Sequence, residues 1–210
     1  MPEKVTLYDL ASSARLLLNY KKIPYDTDWM EYPDLQQKFK ALYAAHKSPS
    51  VPSLIILESL YPSPPLHLET GLDREVNKLC SSIVFAVSAE LMAPIVDDWL
   101  QEPSVSWFVD DRQKRLGMNV WELREQKGGE RIWSGAEEKL KQLKGFLRNH
   151  QKDEGPFVMG SVLSYADLVI IALFESLSRV RKEVYDRIMA YDKDFKKLHE
   201  AGEKWTKEDD

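Results

Sequence analysis

Two spacings of apolar residues divide the chain. Over the first sixty residues they come in short runs and alternations separated by turn formers; after residue 70 they recur every three or four positions over long stretches. Val5 to Leu10 is β-prone, and Ala11-Ser-Ser-Ala14 leads into Arg15, Leu16, Leu17, Leu18 and Tyr20, a helical segment that stops before Pro24. Tyr25 to Tyr32 alternates well enough for a second strand, ended by Pro33. Asp34 to Ala45 reads as an amphipathic helix, with Leu35, Phe39, Leu42 and Tyr43 on one side, and Val51 to Leu57 as a third strand entered through Pro52. Strand, helix, strand, helix, strand is half of an α/β domain with a right-handed crossover. The proline-rich stretch from Tyr61 to Pro65 marks a boundary, so the pattern predicts an α/β domain over residues 1–65 and an all-helical one over 66–210. Helical patterns in the second run from about Gly71 to Leu100, Ser104 to Gln126, Ser134 to Gln151 and Ser164 to Arg181, before a charged segment that ends Lys-Glu-Asp-Asp210.

The last of these patterns carries the most information. Ser164 stands three residues before Asp167, ahead of the run Leu168 to Phe174, which is the layout of a capping box. The serine hydroxyl can accept from the amide of Asp167, and the carboxylate can reach back to the amide of Ser164. A run that is apolar on all sides predicts a buried helix, whose first amides have no water to meet them.

Composition narrows the classes of function. The 210 residues suffice for a real core, and the net charge of −5, with Lys and Arg spread along the chain, argues against nucleic acid as a partner. No apolar run reaches the roughly 20 residues of a membrane span, and Met-Pro-Glu-Lys leads into a strand without a signal-peptide core. The single cysteine, Cys80, excludes an internal disulfide, fits a reducing compartment and reads as a buried structural thiol; a cytoplasmic location is the expectation. The four histidines show no metal-ligand spacing, so no metal is expected.

Gly155-Pro-Phe-Val-Met-Gly160 followed by Ser164-Tyr-Ala-Asp167 resembles the sixth helix region of the glutathione transferases. Leu18-Asn-Tyr-Lys-Lys-Ile-Pro-Tyr25 and Trp29-Met-Glu-Tyr-Pro-Asp34 resemble the first helix and second strand of the fungal etherase-like (fuA) class of that superfamily. The resemblance covers most of the chain. It implies a thioredoxin-like domain followed by a helical bundle, glutathione as co-substrate, a small hydrophobic electrophile or ether as second substrate, and a role in detoxification. Two departures fall in the first domain. Ile55-Ile-Leu-Glu-Ser59 runs directly into Leu60-Tyr-Pro-Ser-Pro-Pro65, so a hairpin strand and most of the third helix look deleted, and the segment from Leu10 to Arg15 is short. Family dimers use that third-helix region, which leaves a homodimer open.

Family chemistry requires a thiolate from a thiol whose ordinary pKa is about 8.5. A hydroxyl donor and a helix N-terminus both stabilise the anion. Ser12 and Ser13 stand at the strand-to-helix turn where both effects meet; either could be catalytic, or simply a helix cap. Tyr8 is a competing hydroxyl inside the strand. Arg15 could pair with a carboxylate of glutathione or be a solvated helix arginine, with the sequence leaning to the second. The resemblance implies that Val51 and Pro52 form a bend offering backbone groups to the cysteinyl part of glutathione; an edge-strand proline is the plain alternative. Glu58 and Ser59 match by type the pair that holds the γ-glutamyl end, although the following prolines leave no helix after them. Trp107, Phe108 and Arg112 are candidates for the electrophile pocket, against ordinary core packing, and Trp121 and Trp133 read as packing. A second class of function stays open: a ligand-binding, ligandin-like homologue that keeps the bundle and has lost efficient glutathione chemistry.

Overall fold

A computed structural model describes residues 5–9, 13–35, 37–38, 40 and 52–206. Strands β1 (Val5–Asp9) and β2 (Tyr25–Trp29) pair in parallel, with Val5 opposite Tyr25 and Asp9 opposite Trp29. Helix α1 (Ser13–Lys21) makes the crossover that a parallel pair requires. The second strand is shorter than its alternation suggests, because helical backbone resumes at residue 32 and continues through the described residues to 40 as α2. Pro33 favours that change: in the first turn of a helix its missing amide costs nothing.

The strand expected over Val51 to Leu57 is instead part of helix α3 (Pro52–Leu60), and the sheet has two strands among the described residues. Proline suits the start of a helix, and the packing of this segment is helical. Leu54 and Leu57 face the core, with Leu57 and Tyr61 set against Leu7, Leu18 and Ile23, while Ile55, Ile56 and Leu60 stay 61%, 52% and 68% exposed. A helix therefore stands immediately before the prolines, in the place of the expected third strand. The Val51 part of the segment lies outside the described residues.

The helical part contains α4 (Leu72–Pro94), extended by a wide turn over Ile95–Trp99, then α5 (Ser104–Leu116), α6 (Val120–Lys127), α7 (Trp133–His150), α8 (Tyr165–Val180), α9 (Lys182–Tyr191) and α10 (Lys193–Thr206). Contrary to the sequence expectation, the 28 residues Leu72–Trp99 are long and apolar enough, by length and composition, to cross a membrane. Here they form a core helix: Val76, Ile83, Val87 and Ala93 are fully buried, and α4 packs on α6, α7 and α8. The single helix expected from Ser104 to Gln126 breaks at Gly117, whose φ of 73° belongs to glycine, and restarts at Asn119 with its own capping box to Glu122. The charged C-terminal segment folds as α9 and α10, because Val184, Ile188, Phe195 and Leu198 recur at helical spacing and are buried. Gly202 brings α10 against α8; a Cβ there would lie 2.5 Å from Ile171 Cδ1.

α8 is the axis of the bundle, with Leu168, Ile170, Ile171 and Phe174 fully buried. Its start is satisfied internally. The Asp167 carboxylate accepts from the Ser164 amide (2.7 Å), the Ser164 hydroxyl (2.7 Å) and the Val158 amide (2.6 Å). The capping box forms as expected, the serine hydroxyl also donates to the carboxylate, and the amide of Asp167 reaches the Ser164 carbonyl at 3.1 Å. Phe157 and Gly160 exchange backbone bonds of 2.9 Å in a tight turn that aims Val158 at the carboxylate. Gly160 adopts φ 88° there, with Asp153 where a Cβ would stand. Ser164→Ala and Asp167→Ala are each expected to destabilise the protein by about 0.5–2 kcal/mol or more, read from chemical denaturation; unchanged midpoints would refute the role of the box. Burial pushes the Asp167 carboxyl up to about 6, outweighing the bonds donated by Val158 and Ser164. An acid raised in the folded state holds its proton more tightly there than when unfolded, so this group makes stability fall as pH rises from about 4 to about 6, and changes nothing above. The stability–pH curve of Asp167→Asn should lack that slope, whatever its absolute offset.

Candidate functional site

Helix α1 opens at Ser13, shortly after β1 ends at Asp9, and the C-terminal ends of strands are where open α/β folds gather ligands. Ser13 is the first residue of α1, so its backbone lies in the helix-start turn; Ser12 lies outside the described residues.

Arg15 is not the solvated helix arginine that the sequence favoured. It is 7% exposed, and its two terminal nitrogens reach the Tyr25 hydroxyl (3.3 Å) and the Thr27 hydroxyl (3.1 Å) on β2, with the guanidinium 5.0 Å above the Trp29 ring. The chain of bonds continues from the Tyr25 hydroxyl to Asn19 Oδ1 (2.8 Å), and from Asn19 Nδ2 to the Trp205 carbonyl on α10 (2.8 Å). This polar seam fastens β2 and α1 to the last helix.

Glu58 and Ser59 sit in the last turn of α3, six and seven residues after Pro52, so the helix-start amides expected beside them are at the other end of the helix. The Ser59 hydroxyl donates within the helix to the Ile56 carbonyl at 2.8 Å. Glu58 pairs with the fully buried ammonium of Lys21 at 2.6 Å and accepts from the Leu66 amide at 2.9 Å. Lys21 also donates to the carbonyls of Tyr61 (2.5 Å) and Pro64 (2.8 Å). The proline-rich segment is thus latched to α1. Pro52 is the first residue of α3, whereas Val51 lies outside the described residues.

Trp107, Phe108 and Arg112 do come together on α5. Phe108 is buried with Ala93, Val96 and Val120, and the Arg112 guanidinium lies 4.4 Å from its ring centroid, paired with Asp111. Sequence reasoning missed Tyr32, whose ring stacks on Trp107 at 5.2 Å with 5° between planes and meets Phe108 at 5.7 Å. Burial raises the Tyr32 phenol, and the Arg112 charge offsets part of that. The Tyr32 amide donates to the Ser104 hydroxyl at 2.8 Å, and that hydroxyl donates to the Glu31 carboxylate. A tyrosine ahead of a helix-starting proline was the only available signal.

A second place has open volume. Between α4 and α8 lies a groove of about 490 Å³, bordered by Cys80, Val84, Phe85, Met92, Val169 and Leu173, within the usual range for small-molecule sites. The thiol at its base is pushed up to about 12 by burial and is no nucleophile. Trp133 packs in the core, as expected, whereas Trp121 is 45% exposed and donates to Asp97 at 3.0 Å. No group of three potential metal ligands occurs among the described residues.

The latch predicts an asymmetry. Glu58→Leu would leave a fully buried ammonium with two carbonyls and no counter-charge and should cost about 3–5 kcal/mol, whereas Lys21→Met leaves the buried Glu58 Oε2 without its partner on a side chain that is 23% exposed and can turn it toward solvent, and should cost less. Urea denaturation of the two single variants and the double variant checks this; equal losses would refute it.

With this geometry in view, the chain can be compared with known proteins. A family model described as "Glutathione S-transferase, C-terminal domain" matches residues 71–205. The glutathione S-transferase-like protein ustS of Aspergillus flavus is 26% identical over 226 residues, covering 91% of this chain and 82% of that protein. Among solved structures, glutathione transferase GSTFuA3 of Phanerochaete chrysosporium is similar with a TM-score of 0.78, at 21% identity and covering 97% of each chain. The glutathione S-transferase CsGST63524 of Ceriporiopsis subvermispora, solved in complex with glutathione, is similar with a TM-score of 0.80, at 21% identity and covering 99% of this chain and all of that one.

Proposed function

The chain belongs to the glutathione S-transferase family, and on that premise we propose that it activates glutathione at the turn between β1 and α1 and transfers it to a small hydrophobic electrophile. The observation that carries this reading is the β1–α1–β2 unit itself, whose helix opens at Ser13 beside the end of β1 and is held rigidly against α8 and α10. A sulfur anion there meets helix-start amides and the positive end of the helix dipole, and a hydroxyl of Ser12 or Ser13 donates to it. The thiol proton leaves to solvent. The thiolate forms a bond to carbon of the electrophile as the leaving group departs with its electron pair; for an ether, that pair goes to oxygen, which then takes a proton.

Arg15 and Glu58 are spent on Tyr25, Thr27, Lys21 and Leu66, so we assign the γ-glutamyl end of glutathione to the other end of α3, beside Val51 and Pro52. Helix-start amides there suit its carboxylate. The electrophile is assigned to the aromatic corner of Trp107, Phe108 and Arg112. The solvent-facing Ile55, Ile56 and Leu60 of α3 favour a homodimer, and the free, buried Cys80 suits a cytoplasmic protein. The ligand-binding alternative is favoured by one observation, the groove between α4 and α8, which would hold an apolar ligand without glutathione chemistry.

Retention on glutathione-agarose, followed by turnover of a general aromatic electrophile, separates the two readings. For the first, removal of the activating hydroxyl should raise the pKa of the bound thiol without abolishing binding. Ser12→Ala and Ser13→Ala are compared with the unmodified protein by ultraviolet titration of the bound thiolate. Three identical curves would leave the backbone amides as sole activator.

A further inference from the structure

Tyr32 stands where the electrophile is assigned. Its ring lies flat on Trp107, 5.2 Å between centroids and 5° between planes, and leans on Phe108 at 5.7 Å, so it fills the wedge between two aromatic side chains of one helix turn. Phe108 also meets the Arg112 guanidinium, 4.4 Å from its ring centroid. Tyr32 belongs to the N-terminal domain, whereas Trp107, Phe108 and Arg112 belong to α5, a helix that otherwise rests on α6 and the wide turn after α4. Ser104, 2% exposed at the start of α5, accepts from the Tyr32 amide and donates to Glu31. The ring is therefore held through its backbone, and among the described residues its hydroxyl makes no hydrogen bond.

We propose that Tyr32 is the specificity-determining residue of this site: its ring occupies the slot that a planar aromatic ligand would take against Trp107 and Phe108. This rests on the assignment of the electrophile to the aromatic corner. Glu31 and Ser104 are positioning residues that return the ring to the slot. Stacked aromatic rings are interchangeable partners, so a flat ligand replaces Tyr32 contact for contact, and removing the ring removes the competitor. A ligand of one ring gains little by displacing Tyr32; one with two fused rings covers both Trp107 and Phe108.

The test is equilibrium binding of 1-anilinonaphthalene-8-sulfonate, followed by its fluorescence and by calorimetry, with circular dichroism as the check on folding. Tyr32→Ala should bind about tenfold more tightly than the unmodified protein, the equivalent of one released stacking contact, and Tyr32→Phe should match the unmodified protein. Tyr32→Ala combined with Trp107→Ala should return to the original affinity, which distinguishes this slot from the groove between α4 and α8. Ser104→Ala keeps every aromatic ring and should give a gain of about threefold, so the idea stays testable if Tyr32→Ala folds poorly. Affinity unchanged in both Tyr32→Ala and Ser104→Ala, or a gain that survives loss of Trp107, would overturn it. Probe binding needs neither glutathione nor turnover, so a protein that fails as a transferase can still pass or fail this test. If turnover is found, Tyr32→Ala should raise kcat/KM for a naphthalene electrophile relative to a benzene one by a similar factor, with the thiolate titration unmoved.

Discussion

One buried carboxylate organises this molecule. The first half of α8, Leu168 to Phe174, is apolar on every side and its start is buried, so the amides there must be satisfied by protein. Asp167 takes the amides of Ser164 and Val158, and the first amide of the helix, that of Tyr165, donates to the carbonyl of Leu66 at 2.9 Å. Leu66 is fully buried and belongs to the segment between the two domains. Its own amide goes to Glu58, which pairs with Lys21. The cap of the central helix is thus the last link of a polar chain that begins on α1, and the relation between the domains follows from meeting those amides.

That chain explains how a shortened N-terminal domain is held in place. A two-stranded sheet is marginal by itself. Here α1 is buried nearly all round, with Leu16, Leu17 and Leu18 packed and even Arg15, Asn19 and Lys21 enclosed. Arg15 and Asn19 tie β2 to α10, and Lys21 ties the interdomain segment to α1. Arg15 and Glu58, which resembled ligands for glutathione, are structural ties in this fold.

The corner between β2 and α5 has a different character. Among the described residues its contacts are stacked rings, the Arg112 guanidinium on Phe108 and the Ser104 hydroxyl on the Tyr32 amide. The groove between α4 and α8, by contrast, is open volume walled by helices of the core. The two places thus differ physically: one is filled by stacked side chains and the other stands open.

Local patterns decided much of this in advance. The Ser164-x-x-Asp167 spacing ahead of an apolar run, the strand–helix–strand start and the long helical periods were all legible, because each depends on neighbours in the chain. The third strand was misread: Leu54, Ile55, Ile56 and Leu57 are apolar at every position, so no period is written in them. Only the packing of Leu54 and Leu57 against the core, with Ile55 and Ile56 left outside, makes the segment a helix. The break at Gly117 and the helices α9 and α10 were likewise settled by what their apolar residues could reach. Site residues divide along the same line. Ser13 could be placed at a helix start from sequence because that is a local fact. The partners of Arg15, Glu58 and Tyr32 stand 12, 37 and 75 positions away along the chain, at Thr27, Lys21 and Trp107, and spacing carries no information at that range. Sequence alone determined the helices whose period and caps are local, α1, α4, α7 and α8; tertiary structure decided that α3 is a helix and which charges and rings are taken up by the fold, because that depends on what each one meets after the chain has closed.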